Sequence, residues 1–193
     1  DWDEMELIAR SLAQTGHFAN PYKLPTGLTA HHAPVYPFLL AGIFRIFGYG
    51  PAAANAVVTT NLIFAAGIAG LMPWVATCAG IPATAGLIGA VFTIIPFRIL
   101  KETRGEASFV GLLFILTVGL TLLWLRRIFG SYESRQQFWQ AAGLGALWGF
   151  VSLAAAICAI AGLVILSWVG IRALQLKSRP LLAQALTTGL FTV

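Results

Sequence analysis

Charge is what this sequence has least of. Its 193 residues include 12 Lys or Arg and 7 Asp or Glu, a charged fraction of 10%, where soluble domains carry roughly 25%. With 58% hydrophobic residues and a mean hydropathy of +0.82, that scarcity excludes an ordinary water-soluble domain and predicts an integral membrane protein. Cysteine is scarce too. Cys78 and Cys158 stand in or beside apolar runs with no CxxC or nearby His spacing, which excludes a zinc pair and marks both as small packing residues. The formal net charge of +5 gives no case for nucleic acid, because Arg126, Arg127, Arg135, Arg172, Lys177 and Arg179 cluster between apolar runs, as topology signals do.

The few ionisable groups are unevenly placed. Asp1, Asp3, Glu4, Glu6, His17, His31 and His32 all fall within the first 32 residues, so chemistry that needs a base or a phosphate ligand is expected there. The chain divides accordingly into a polar head, 1–50, and a bundle of transmembrane helices, 51–193. It starts on Asp1 and stops within an apolar run at Val193, without a signal-peptide pattern. The expectation is a piece of a longer protein with a transmembrane helix ahead of it.

A transmembrane helix needs about 20 mostly apolar residues. Residues 52–75 supply one, entered by Pro51 at a first-turn position. Residues 81–97 and 109–125 supply two more, separated by a mixed-charge loop carrying Arg98, Lys101, Glu102, Arg104 and Glu106. The run 138–171 is too long for one span and is divided into two short helices, with Gly143, Gly145, Gly149 and Gly162 as its punctuation. A last, truncated span begins after Pro180, for five or six in all. The positive-inside bias puts the basic loops around Arg127 and Lys177 in the cytoplasm. Counting back then puts the turn at 77–82 inside, and the Glu106 loop and the head together outside, at the inner membrane of a cell envelope.

Within the head, Asp3 and Glu6 have capping-box spacing, with Trp2 and Leu7 as the staple. A helix over 4–13 follows, ended by Gly16. Its Met5, Ile8 and Leu12 share a face suited to the membrane surface, with Arg10 and Gln14 toward water. Glu4 and Glu6 are expected to be solvated and His17 to pack beside Phe18. Residues 20–27 are turn-rich, and 34–47 forms a second short apolar helix. The head is therefore expected to be two interfacial helices joined by a loop that holds the histidines.

Four elements then stand in order: Asp3-Glu4-Met5-Glu6-Leu7-Ile8-Ala9-Arg10, Thr15-Gly16-His17-Phe18, His32-Ala33-Pro34-Val35-Tyr36-Pro37-Phe38-Leu39-Leu40 and Phe44-Arg45-Ile46-Phe47-Gly48. This order resembles the first extracytoplasmic loop of GT-C type glycosyltransferases, above all the relatives of protein O-mannosyltransferases and the lipid A aminoarabinose transferase. The resemblance covers the first fifty residues; the later spans match only in layout. It departs at His32-Ala33-Pro34, where relatives often have Lys and two prolines.

The resemblance implies an all-α polytopic membrane fold and an inverting transferase. Such an enzyme would move a sugar from a polyprenyl-phosphate-linked donor to a lipid, glycan or protein acceptor at the extracytoplasmic face. It implies Asp3 as general base and Glu106 as the second acidic residue of the site. Glu4, Lys23, His31, His32 and Arg104 are substrate-binding candidates, with Arg98 and Lys101 as further phosphate partners. A divalent metal held by Asp3 and Glu106 is left open. Each residue also has a plainer role: Asp3 as a helix cap worth about 1 kcal/mol, Glu106 as a salt-bridge partner of Arg104 or Arg98, His31 or His32 as loop packing. Two other classes compete. A transporter or channel would place charges inside its spans, and these spans hold only Asn55, Asn61 and scattered Ser and Thr. A non-catalytic assembly subunit of a glycan or lipid pathway fits the same composition.

Overall fold

The computed structural model describes residues 4–22, 24–30, 32–99, 106–130, 134–175 and 186–188, the side chains at 94–99, 128–130, 134–138, 157, 169–170 and 172–175 excepted. The described chain is all-helical: α1 (Glu4–Thr15), α2 (Val35–Phe47), α3 (Pro51–Cys78), α4 (Ala83–Ile99), α5 (Ala107–Gly130), α6 (Ser134–Ala154) and α7 (Ile157–Gln175). Among the described residues the sole β pairing is one isolated bridge, Ala19 with Leu28. The final span expected after Pro180 falls outside the described residues, apart from 186–188.

Two helices, Pro51–Cys78 and Ala107–Arg127, are long and apolar enough to cross a membrane. At about 1.5 Å per residue, the 28 residues of α3 reach beyond a hydrocarbon core about 30 Å thick. Pro51 begins α3, where its missing N–H costs nothing. The run 138–171 does divide in two, but at Ala155 and Ala156 rather than at a glycine. Its four glycines stay within the helices, and one of them, Gly162, faces the indole of Trp148. The basic residues also lie differently from the expectation of a free loop. Arg126 and Arg127 belong to the last turns of α5, and Arg135 to the first turn of α6.

Two clusters hold the helices together. One joins the head to the bundle: Ala9 and Leu12 of α1, Tyr36, Leu40, Ala41 and Phe44 of α2, and Ala53 and Val57 of α3, with Phe109 of α5 packed against them. The other joins α5 to α6 through Trp124, Ala141, Leu144 and Trp148. Between α3 and α4 the helices touch at Gly86, where a Cβ would stand 2.5 Å from Pro73 Cα and 2.6 Å from the Met72 carbonyl oxygen. Such contact is possible only without a side chain.

These contacts define two ends. The Tyr36 and Phe109 rings lie 6.0 Å apart, so α5 starts beside the head. At the far end, a Cβ on Gly80 would come 3.2 Å from the Arg126 guanidinium, so the α3–α4 turn lies beside the basic end of α5. A cavity lined by both Glu106 and Cys158 puts the α6–α7 junction back at the head end. The helix ends thus alternate between the head end and the far end.

Candidate functional site

The head reverses its path in a compact loop. Gly16, at φ 76°, ends α1 and donates its N–H to Leu12 O at 3.0 Å. Thr29 N–H then donates to Phe18 O at 3.1 Å and Asn20 N–H to Gly27 O at 2.9 Å. Asn20 sits at φ 57°, which asparagine tolerates because its short side chain bonds locally. Its Oδ1 accepts from the N–H groups of Thr26, at 3.1 Å, and Gly27, at 3.0 Å. One asparagine therefore closes the loop and sends the chain back along α1.

That return brings His32 to the start of α1. His32 Nε2 lies 2.9 Å from Glu4 Oε2, with the two side chains 22% and 38% exposed. Glu4 is thus a paired residue rather than the solvated one expected from the sequence. A carboxylate there also benefits from the positive end of the helix dipole.

The second carboxylate of α1 is turned away from this pair. Glu6 is 3% exposed, on the same side of α1 as the fully buried Ala9 three residues on. The reading of Glu6 as solvated, and of Met5, Ile8 and Leu12 as a face for the membrane surface, is corrected here. Ile8 is fully buried, and Met5 and Leu12 join the cluster that α1 shares with α2, with the small Ala9 and Ala13 beside them. Water is left to Arg10 and Gln14, as expected, with the Arg10 guanidinium 5.1 Å over the Tyr49 ring. The outward apolar side chains of the head include Leu24, Leu28, Phe38, Ile46 and Phe47, each more than half exposed. His17 is exposed, and Phe18 stacks on Phe38 rather than on the histidine, at 6.3 Å between centroids.

Deeper still, Asn61 of α3 donates its side-chain N–H to Tyr36 Oη at 2.9 Å, and both residues are 1% exposed. The sequence reading passed over Tyr36; its signal is a polar residue, Asn61, inside an otherwise apolar run, which needs a partner wherever it is buried.

Glu106 stands at the start of α5, its carbonyl accepting from Val110 N–H at 2.9 Å. It forms the polar rim of an otherwise apolar cavity of about 600 Å³, whose walls include Val110, Phe114, Cys158 and Ala161. This cavity opens at the head end but is lined by α5 and the α6–α7 junction, not by α1 or α2. The structure therefore brings Glu4 and His32 together and places Glu106 on the same end in a separate pocket. Asp3, Lys23, His31, Lys101 and Arg104, and the side chain of Arg98, lie outside the described residues. Among the described residues no three His, Cys, Asp or Glu side chains converge as metal ligands, so Glu106 and the Glu4–His32 pair do not form a donor set on their own.

Comparison of the chain with protein-family models, with curated proteins and with solved structures finds no match.

Proposed function

We propose that this chain is a membrane-embedded sugar transferase of the GT-C type, taking its sugar from a polyprenyl-phosphate-linked donor and working at the head end of the bundle. The observation that carries the reading is the hydrogen-bonded Glu4–His32 pair. Its members come from two of the four motif elements behind the resemblance, 28 residues apart in the chain. Glu106, the second acidic residue implied, opens on the same end.

Embedding in a membrane has its own support. Only 11% of the most apolar window of α3 is buried within the protein, whereas a core helix of a soluble domain would be mostly covered. Leu62, Ile63, Leu87, Ile88, Val91 and Phe92 are half or more exposed, an apolar surface too large to leave facing water. The proposal extends to a polytopic fold with the basic far end in the cytoplasm and the head at the outer interface of the inner membrane, resting on Phe38, Ile46 and Phe47.

In the proposed reaction the acceptor oxygen attacks the anomeric carbon from the side opposite the phosphate, which inverts that centre. The acceptor proton passes to the carboxylate of Asp3 as the new C–O bond forms. The bond from the anomeric carbon to the phosphate oxygen breaks, and its electron pair leaves with polyprenyl phosphate. His32, oriented by Glu4, donates to that phosphate as its charge develops, with Lys23, His31 and Arg104 as further partners; donors held at a developing anion lower the barrier most. No step here depends on a metal.

Release of polyprenyl phosphate from a panel of polyprenyl-phosphate sugars, by protein in membrane vesicles, tests the reading. The variant Asp3→Asn is expected to lose roughly 10² to 10⁴-fold in rate with an unchanged melting temperature in detergent. Activity within about twofold of the unmodified chain removes Asp3 from the mechanism.

A further inference from the structure

At the far end, away from the proposed reaction, α5 and α6 form a groove of about 260 Å³. From α5 it is lined by Leu120, Leu123, Trp124 and Arg127, positions i, i+3, i+4 and i+7 that make one stripe along a helix. From α6 it is lined by Gln140, Gly143, Leu144 and Leu147, which repeat the same spacing. The helices run in opposite directions, so the polar members Arg127 and Gln140 meet at the far end and the leucines meet toward the middle. The groove is therefore graded along its length, cationic at one end and apolar at the other.

Two further observations distinguish it from a chance crease. Trp124 is 5% exposed and its indole N–H has no acceptor among the described residues. In the same cluster, Trp148 gives its indole N–H to Thr121 Oγ1 at 3.1 Å. A buried donor left without a partner is costly, so a small turn of the Trp124 ring that brings its N–H to an oxygen in the groove would be favoured. Gly143 supplies the room: a Cβ there would meet nothing within 4 Å.

We propose that this groove binds an anionic glycerophospholipid, with its phosphate on Arg127 and Gln140, an ester oxygen at Trp124 and an acyl chain along the leucines. The order of charge, hydrogen-bond donor and apolar wall matches the order of groups in such a lipid. The site rests on the membrane reading above but not on the transferase chemistry. In that orientation the basic end faces the cytoplasmic leaflet, where anionic headgroups collect around Lys and Arg.

The full chain, purified in detergent and exposed to phosphatidylglycerol or to phosphatidylcholine, is examined by native mass spectrometry for retained lipid. Phosphatidylglycerol is expected to be retained roughly tenfold better, the scale of one charge-assisted phosphate contact. Arg127→Gln should abolish that preference. Gly143→Leu, whose Cβ meets nothing within 4 Å and whose branch grows into the groove, should reduce retention of both lipids. Equal retention of the two lipids, or an Arg127→Gln variant that keeps the preference, overturns the site. Lipid-free dimers would assign the groove to a second copy and overturn it too. Alkaline carbonate extraction of the same vesicles separates the two readings. A chain washed off by carbonate overturns the membrane reading and this site together, whereas an embedded chain without lipid preference overturns the site alone.

Discussion

The phenol of Tyr36 accepts a hydrogen bond from Asn61 at 2.9 Å, and neither side chain is reached by solvent. This contact fastens α2 of the head to a point about three turns into α3, beside the ring of Phe109. The head is thereby held on the bundle by a polar bond set inside an apolar cluster.

Removing the acceptor should leave a buried donor behind. Tyr36→Phe keeps the ring and its packing, so its cost is expected to be about 1–3 kcal/mol, read as a lowered melting temperature in detergent. Asn61→Ala in the Tyr36→Phe background should add less than it does alone, because the two residues share one interaction. Additive losses would mean the bond contributes nothing.

Two glycines three residues apart on α4 should respond oppositely. A Cβ at Gly86 meets the backbone of Met72 and Pro73 at 2.5 to 2.8 Å, while one at Gly89 meets nothing within 4 Å. Gly86→Ala is expected to push α3 and α4 apart and lower the melting temperature. Gly89→Ala is expected to be neutral or to stabilise by up to about 1 kcal/mol through helix propensity. Equal melting temperatures for the two variants would contradict the close approach at Gly86.

Glu4 and His32 should act as a unit in the proposed reaction. His32→Ala and Glu4→Gln are each expected to slow polyprenyl phosphate release, and the double variant should be little slower than His32→Ala alone. Because the pair is partly exposed, the melting temperature should move little. A large fall in stability without a fall in rate would make the contact structural only.

The proposed orientation is tested by labelling. A cysteine replacing the exposed Thr26 should react with a membrane-impermeant thiol reagent from outside sealed cells, and one replacing Ser134, at the start of α6, should not. Cys78 and Cys158 are both buried and should contribute little background. Reversed labelling would turn the scheme over.

The Tyr36–Asn61 and Glu4–His32 contacts also mark where reading the sequence succeeds and where it stops. Local signals place the helices: Pro51 starts α3, Gly16 and Gly48 follow the ends of α1 and α2, and mixed charge separates α4 from α5. The α6–α7 break is less legible, since Ala155 and Ala156 carry no turn signal and the glycines in that run lie inside the helices. The buried face of α1 is misread for a related reason. Ala9 and Ala13 add little to an apolar stripe, yet both belong to the cluster in which α1 meets α2.

Composition and periodicity by themselves determine that this is a chain of long apolar helices with its three histidines and four of its seven acidic residues gathered in the first 32 positions. Those properties depend on the transfer of each side chain from water and on the helical repeat, both of which are local. Only the tertiary structure decides which of those groups meet. Whether His32 reaches Glu4, whether Asn61 finds Tyr36, and whether Glu106 opens into a pocket of its own depend on the path of the loop closed by Asn20 and on how tightly alanine and glycine let the helices approach. Contacts between residues distant in the chain follow from packing, which no single segment encodes.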